Sequence, residues 1–194
     1  MLNLKKHALH LYKSGLLFVI LLVGVLLVPA LSNTSALADA PGINGMVSAG
    51  SLSETASASY TFSGTIGSVP TFTMPISGSD LTGAAAGWNL TITSTTLTSG
   101  SDTLPTTASQ ITGISATCTT AGTCSSNSVT SGVATPVAIP AATTAPTAVK
   151  FFNAAASSGS GVYTVTPTIT VTIPGSAKTG TYTSTYTLAV VSGP

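Results

Sequence analysis

The chain has 194 residues, 43% of them hydrophobic and only 5% charged, with five lysines, four carboxylates and a formal net charge of +1. It has no arginine. So sparse a cationic complement excludes the phosphate-neutralising surface that nucleic-acid binding needs, and it disfavours anionic membrane surfaces for the same reason.

The first 38 residues have the three parts of a secretory leader. Lys5, Lys6 and Lys13 form a basic region, 15–28 is an uncharged apolar run, and Ala36-Leu37-Ala38 supplies small residues at the first and third places of a cleavage site. Cleavage is expected between Ala38 and Asp39. The rival reading is a retained anchor, but an apolar run of about 14 residues is shorter than the roughly 20 that span a bilayer. Cleavage leaves 39–194 as a single domain with no membrane partner. Both histidines leave with the leader. What remains is Lys150 and Lys178 against Asp39, Glu54, Asp80 and Asp102, a net charge of −2. Low charge with abundant Thr, Val and Ile in alternation indicates a folded β protein rather than a disordered one.

After an irregular lead-in over 39–45, strands are expected at 46–52 and 56–62. In the second, Ala56, Ala58, Tyr60 and Phe62 share one face. The stretch 69–76 places Phe72, Met74 and Ile76 inward, and Pro70 and Pro75 mark it as an edge strand. A turn around Gly78, Asp80 and Gly83 precedes a strand to about Leu97. There Trp88, Leu90 and Ile92 alternate with Asn89, Thr91 and Thr93, the period of a half-buried strand. Residues 99–102 read as a turn, 103–110 as a loop, and 111–118 as a short strand. Cys118 and Cys124 are expected to pair, as two cysteines of a secreted chain usually do.

Further on, 133–139 alternates again, 149–152 reads as a short strand and 157–161 as a flexible loop. The strongest alternation comes last. Tyr163, Val165, Ile169, Val171 and Ile173 share a face, a turn follows at 174–180, and Tyr182, Tyr186, Leu188 and Val190 share another. These two strands are expected to pair as an antiparallel hairpin. No helical period occurs after the leader. The pattern predicts an all-β fold, a single β-sandwich of about eight or nine mostly antiparallel strands.

Catalytic constellations are scarce. Without a mature histidine no Ser-His-Asp triad can be built. Asp80 and Asp102 sit in turn contexts where aspartate is ordinary, and no carboxylate pair of the glycosidase kind stands out. Nothing clusters as a calcium or transition-metal ligand set, so no metal and no cofactor is expected. Trp88 reads either as a stacking platform for sugar rings or as a core indole; sharing a face with Leu90 and Ile92 favours the core. Tyr182 and Tyr186 carry the same pair of readings.

Two segments resemble the WxL-domain proteins, surface proteins of Gram-positive bacteria. One is Asp80-Leu81-Thr82-Gly83, three alanines, then Gly87-Trp88-Asn89-Leu90, similar to that family's acidic, glycine-containing loop before a Gly-Trp-x-Leu strand. The other is the spacing of Tyr182, Tyr186, Leu188, Val190 and Pro194, with Leu188 and Val190 standing where the family has its second Trp and Leu. The resemblance spans about 56–194. It implies a secreted, non-catalytic protein at the extracellular cell surface, bound non-covalently to the cell wall through peptidoglycan. Trp88, Leu90, Tyr182 and Tyr186 would be the contact residues, and a wall polymer or another surface protein the partner. An alternative from composition alone is a self-assembling subunit of an extracellular filament or matrix, since low-charge, threonine-rich strands suit strand exchange.

Overall fold

The computed structural model describes residues 45–194. The expected leader, and its Ala38–Asp39 cleavage site, lie outside these residues. Among the described residues there are twelve strands and no α-helix. They are β1 (Leu52–Ala56), β2 (Thr71–Thr73), β3 (Ile76–Asp80), β4 (Trp88–Thr95), β5 (Thr98–Ser99), β6 (Asp102–Thr103), β7 (Ser109–Cys118), β8 (Val137–Ala138), β9 (Ala141–Ala142), β10 (Val149–Ala154), β11 (Gly161–Val171) and β12 (Tyr186–Ser192).

One sheet runs β1-β3-β11-β7-β8, with β2 also on β11; a second runs β10-β4-β12, with β9 beside β4. All pairings are antiparallel except β4 with β9. The two sheets pack face to face around one core that includes Ile76, Trp88, Leu90, Ile92, Phe152, Tyr163, Val165 and Ile169. A smaller cluster of Leu97, Leu104, Ala108 and Val171 closes one end. The all-β class follows from the alternation: each long strand has one apolar face to bury, and two such faces bury each other.

Several local expectations are revised. No strand forms at 46–52; the first strand starts at Leu52. Beyond Ala56, the last residue of β1, the 56–62 stretch forms no strand either. Tyr60 and Phe62 are half-buried as the alternation requires, but the segment enters no backbone ladder and Tyr60 is held through its side-chain hydroxyl instead, so alternation alone does not make a strand there. Residues 69–76 divide at Pro75 into β2 and β3. Only β2, bonded to β11 alone, is an edge; β3 lies between β1 and β11. Of 133–139, only Val137–Ala138 is strand.

The larger correction concerns the C-terminal pair. β11 and β12 do not form a hairpin. β11 is central in the first sheet, between β3 and β7, whereas β12 belongs to the second sheet and pairs with β4, Leu188 opposite Ile92. Residues 172–185 cross from one sheet to the other. The crossing is stitched by mutual hydrogen bonds between Thr98 and Thr183, both 2.9 Å. The inward residues of each strand thereby meet across the core instead of side by side.

β4 is more deeply placed than a half-buried strand. Its inward residues Trp88, Leu90 and Ile92 are fully buried, and on the other face Asn89 and Thr93 are only 5% and 6% exposed. Segments distant in the chain cover that outer face. Thr93 Oγ1 donates to the Pro146 carbonyl at 2.8 Å, and Asn89 Nδ2 donates to the Gly193 carbonyl at 2.8 Å. These polar side chains are buried because they are bonded. On β10 the ladder to β4 is irregular between Lys150 and Phe152, and this bulge accompanies burial of both successive phenylalanines, Phe151 and Phe152.

Cys118 and Cys124 form the expected disulfide, closing a short loop after β7. Replacing both by serine should lower stability by about 2 kcal/mol on the loop-entropy model, a fall of roughly 4–8 °C in the melting midpoint for a domain of this size. Thermal unfolding of the double variant measures it. An unchanged midpoint would mean that the loop is held by its other contacts, such as the Ser125 N–H to Ser160 carbonyl bond.

Candidate functional site

An open groove of about 570 Å³ lies between the 56–62 segment and the 181–188 segment. Its floor is apolar, with Phe72, Met74, Leu97 and Leu188; Tyr60, Phe62, Tyr182 and Tyr186 form its aromatic walls, and Glu54 is its one ionisable carboxylate. The groove follows from the two corrected segments. Because 56–62 is not paired into a sheet beyond Ala56 and 172–185 crosses between sheets, both lie over the same end of the sandwich and leave a trough between them.

Its tyrosines are held in place through their hydroxyls. Tyr60 donates to the Pro75 carbonyl at 2.9 Å and accepts from the Ser57 N–H at 3.1 Å. Tyr182 donates to the Lys178 carbonyl at 3.1 Å, and Tyr186 to Ser109 Oγ at 3.2 Å. Burial pushes the Tyr186 phenol above its ordinary range, the Ser109 hydrogen bond pulling the other way. The Phe62 ring stacks on Phe72 with centroids 5.9 Å apart, and Tyr60 tilts against Phe72 at 6.5 Å. With hydroxyls engaged and rings braced, the walls offer aromatic surface more than free polar groups.

Of the four residues expected to contact a ligand, Tyr182 and Tyr186 line this groove and Trp88 and Leu90 do not. Trp88 and Leu90 have no exposed surface. The indole Nε1 donates to the Gly159 carbonyl at 2.9 Å, and its ring lies 5.0 Å from that of Phe152. Trp88 is thus the core indole of the two readings. The 157–161 loop is tied to the core through that same bond. Tyr60 and Phe62 were legible as inward residues of a strand; their place in a groove became visible only when the strand failed to form.

The carboxylates are dispersed. Asp80 is not in the expected turn but is the buried last residue of β3, paired with Leu52 and Gly161, and it accepts from the Thr82 hydroxyl at 2.7 Å and the Thr82 N–H at 3.2 Å. Asp102 pairs with Lys178 at 2.9 Å and holds that exposed ammonium protonated above its ordinary range. Glu54 stands apart at the groove. Among the described residues no three His, Cys, Asp or Glu side chains come together as a metal site, and no helix is long and apolar enough to cross a membrane.

Compared with family models, curated proteins and solved structures, the chain matches none.

Proposed function

We propose that this is a secreted, non-catalytic, WxL-like protein of the bacterial cell surface, and that it associates non-covalently with a cell-wall polymer through the tyrosine-walled groove. The observation that carries this reading is the groove itself. It is of ligand-binding size, open, apolar on its floor and almost uncharged, and its braced aromatic rings suit a neutral polymer segment better than a charged one. The Cys118–Cys124 disulfide supports an oxidising compartment, as secretion requires.

The test is sedimentation of the purified protein with and without isolated wall sacculi. The wild type is expected in the pellet only with sacculi. Tyr182→Ala removes a wall ring whose hydroxyl holds only the Lys178 carbonyl. It should weaken association at least fivefold, the loss of about 1 kcal/mol that marks a contributing contact residue. A wild type that stays in solution with sacculi, or a folded Tyr182→Ala protein that binds as well as the wild type, would sink this role for the groove. Pelleting without sacculi would instead favour an extracellular filament or matrix.

A further inference from the structure

A sheet edge left bare is a template for another strand, and most edges of this fold are covered or interrupted. The free side of β10 receives the 131–132 segment: the Gly132 N–H bonds to the Asn153 carbonyl at 3.0 Å, and the strand carries both a bulge and Lys150. The free side of β7 is bonded to β8 and to 127–129, with the Cys118 N–H on the Asn127 carbonyl and the Val129 N–H on the Ala116 carbonyl. β1 carries Glu54, and β2 is three residues long between Pro70 and Pro75.

β12 is the least protected: β1 and the groove lie beside it, but no segment bonds to its outer side. It is seven residues long, uncharged and free of proline, and its register against β4 runs without a break from Tyr186–Ser94 to Ser192–Trp88. The ladder shows which backbone groups point outward. The Thr95 N–H bonds to the Thr185 carbonyl and the Gly193 N–H to the Gly87 carbonyl, both at 2.9 Å and both in this register. Thr187, Ala189 and Val191 therefore turn their backbone groups to β4, and Tyr186, Leu188, Val190 and Ser192 turn theirs away. None of these four has an outward backbone partner among the described residues; β1 lies near β12 but bonds only to β3.

We propose that this edge pairs antiparallel with the same edge of a second copy, about a two-fold axis at Ala189. The strand is its own complement in that arrangement. Residue 186 meets 192 and 188 meets 190, so all four outward-facing residues bond across the axis. On the exposed face Ala189 meets Ala189. Val191, 47% exposed in the single chain, meets Thr187, a pair of β-branched residues that favours sheet pairing. The contact brings no like charges together. Being isologous it closes at two copies, with a continuous sheet β10-β4-β12-β12-β4-β10, and does not propagate into a fibre.

Sedimentation velocity and site-directed crosslinking test it. The purified protein is expected to be a concentration-dependent dimer. Ala189→Lys, at an exposed position outside the groove, sets two ammonium groups face to face and should weaken the dimer at least tenfold without changing the fold of the monomer. Ala189→Cys should crosslink to itself under mild oxidation, since facing Cα atoms of a non-hydrogen-bonded pair lie within disulfide range. Thr187→Cys, which faces Val191, should not. A strictly monomeric wild type, open fibres, a dimer unaffected by Ala189→Lys, or one that crosslinks through Thr187→Cys but not Ala189→Cys would each overturn the proposal.

Discussion

Trp88→Ala is expected to lower the free energy of unfolding by about 3–5 kcal/mol, the range for truncating a fully buried large aromatic. The indole is fully buried, packs on Phe152 at 5.0 Å and fills the space left by a residue without a side chain: a Cβ on Gly78 would lie 2.7 Å from its ring. Truncation opens a cavity between the sheets and leaves the Gly159 carbonyl without its donor. Since small domains have only about 5–15 kcal/mol in total, this loss is a large part of the whole. Trp88→Phe, which keeps a ring but not the N–H, should fall between. Urea unfolding with an unchanged slope measures both. A variant that lost wall binding but less than about 1 kcal/mol of stability would show that the indole acts at the surface, against its observed burial.

Gly87→Ala is expected to cost about 3 kcal/mol although it adds a single methyl group. Gly87 has φ +78°, a left-handed conformation that costs an L side chain roughly 1–2 kcal/mol. Its Cβ would also lie 2.5 Å from the Ala154 carbonyl oxygen and 2.8 Å from the Ala155 carbonyl carbon, both backbone atoms at the end of β10. Relieving that overlap moves β10 off β4, an overpacking cost of about 1–3 kcal/mol. Gly100→Ala is the control: φ is +60°, with nothing within 4 Å of the added carbon. It should cost only about 1–2 kcal/mol. Equal losses at the two positions would mean that the close approach at Gly87 contributes nothing. The Gly-Trp-x-Leu stretch is thus explained locally by packing: glycine admits a neighbouring backbone, and Trp and Leu fill the core.

The strands with the most regular alternation were the most legible. β4, β7, β10 and β11 lie close to where periodicity placed them, because each has an apolar face that must be buried and a polar one that need not be. The disulfide was legible from two cysteines six residues apart. Alternation misled at 56–62, which has the right side chains but enters no backbone ladder beyond Ala56. It also misled for the C-terminal pair, where a turn-rich stretch between two good strands read as a hairpin. Nothing local says whether such a stretch returns within a sheet or crosses to the other one. The groove shared this limit. Tyr182 and Tyr186 were named through the resemblance, but Tyr60 and Phe62 join them only because the segment leaving β1 and the segment entering β12, strands of different sheets, meet there.

By itself, the sequence determined what each stretch had to bury: an all-β fold, one disulfide, and an indole belonging with Leu90 and Ile92. Those properties rest on side-chain period and composition, which are local. The tertiary structure alone decided which edges meet, that β4 is covered on both faces, that Trp88 is fully buried, and that the outer side of β12 bonds to no other strand. Backbone pairing is between segments distant in the chain, and the backbone donors and acceptors that form it are nearly the same in every residue, so their partners are chosen by how the whole core closes.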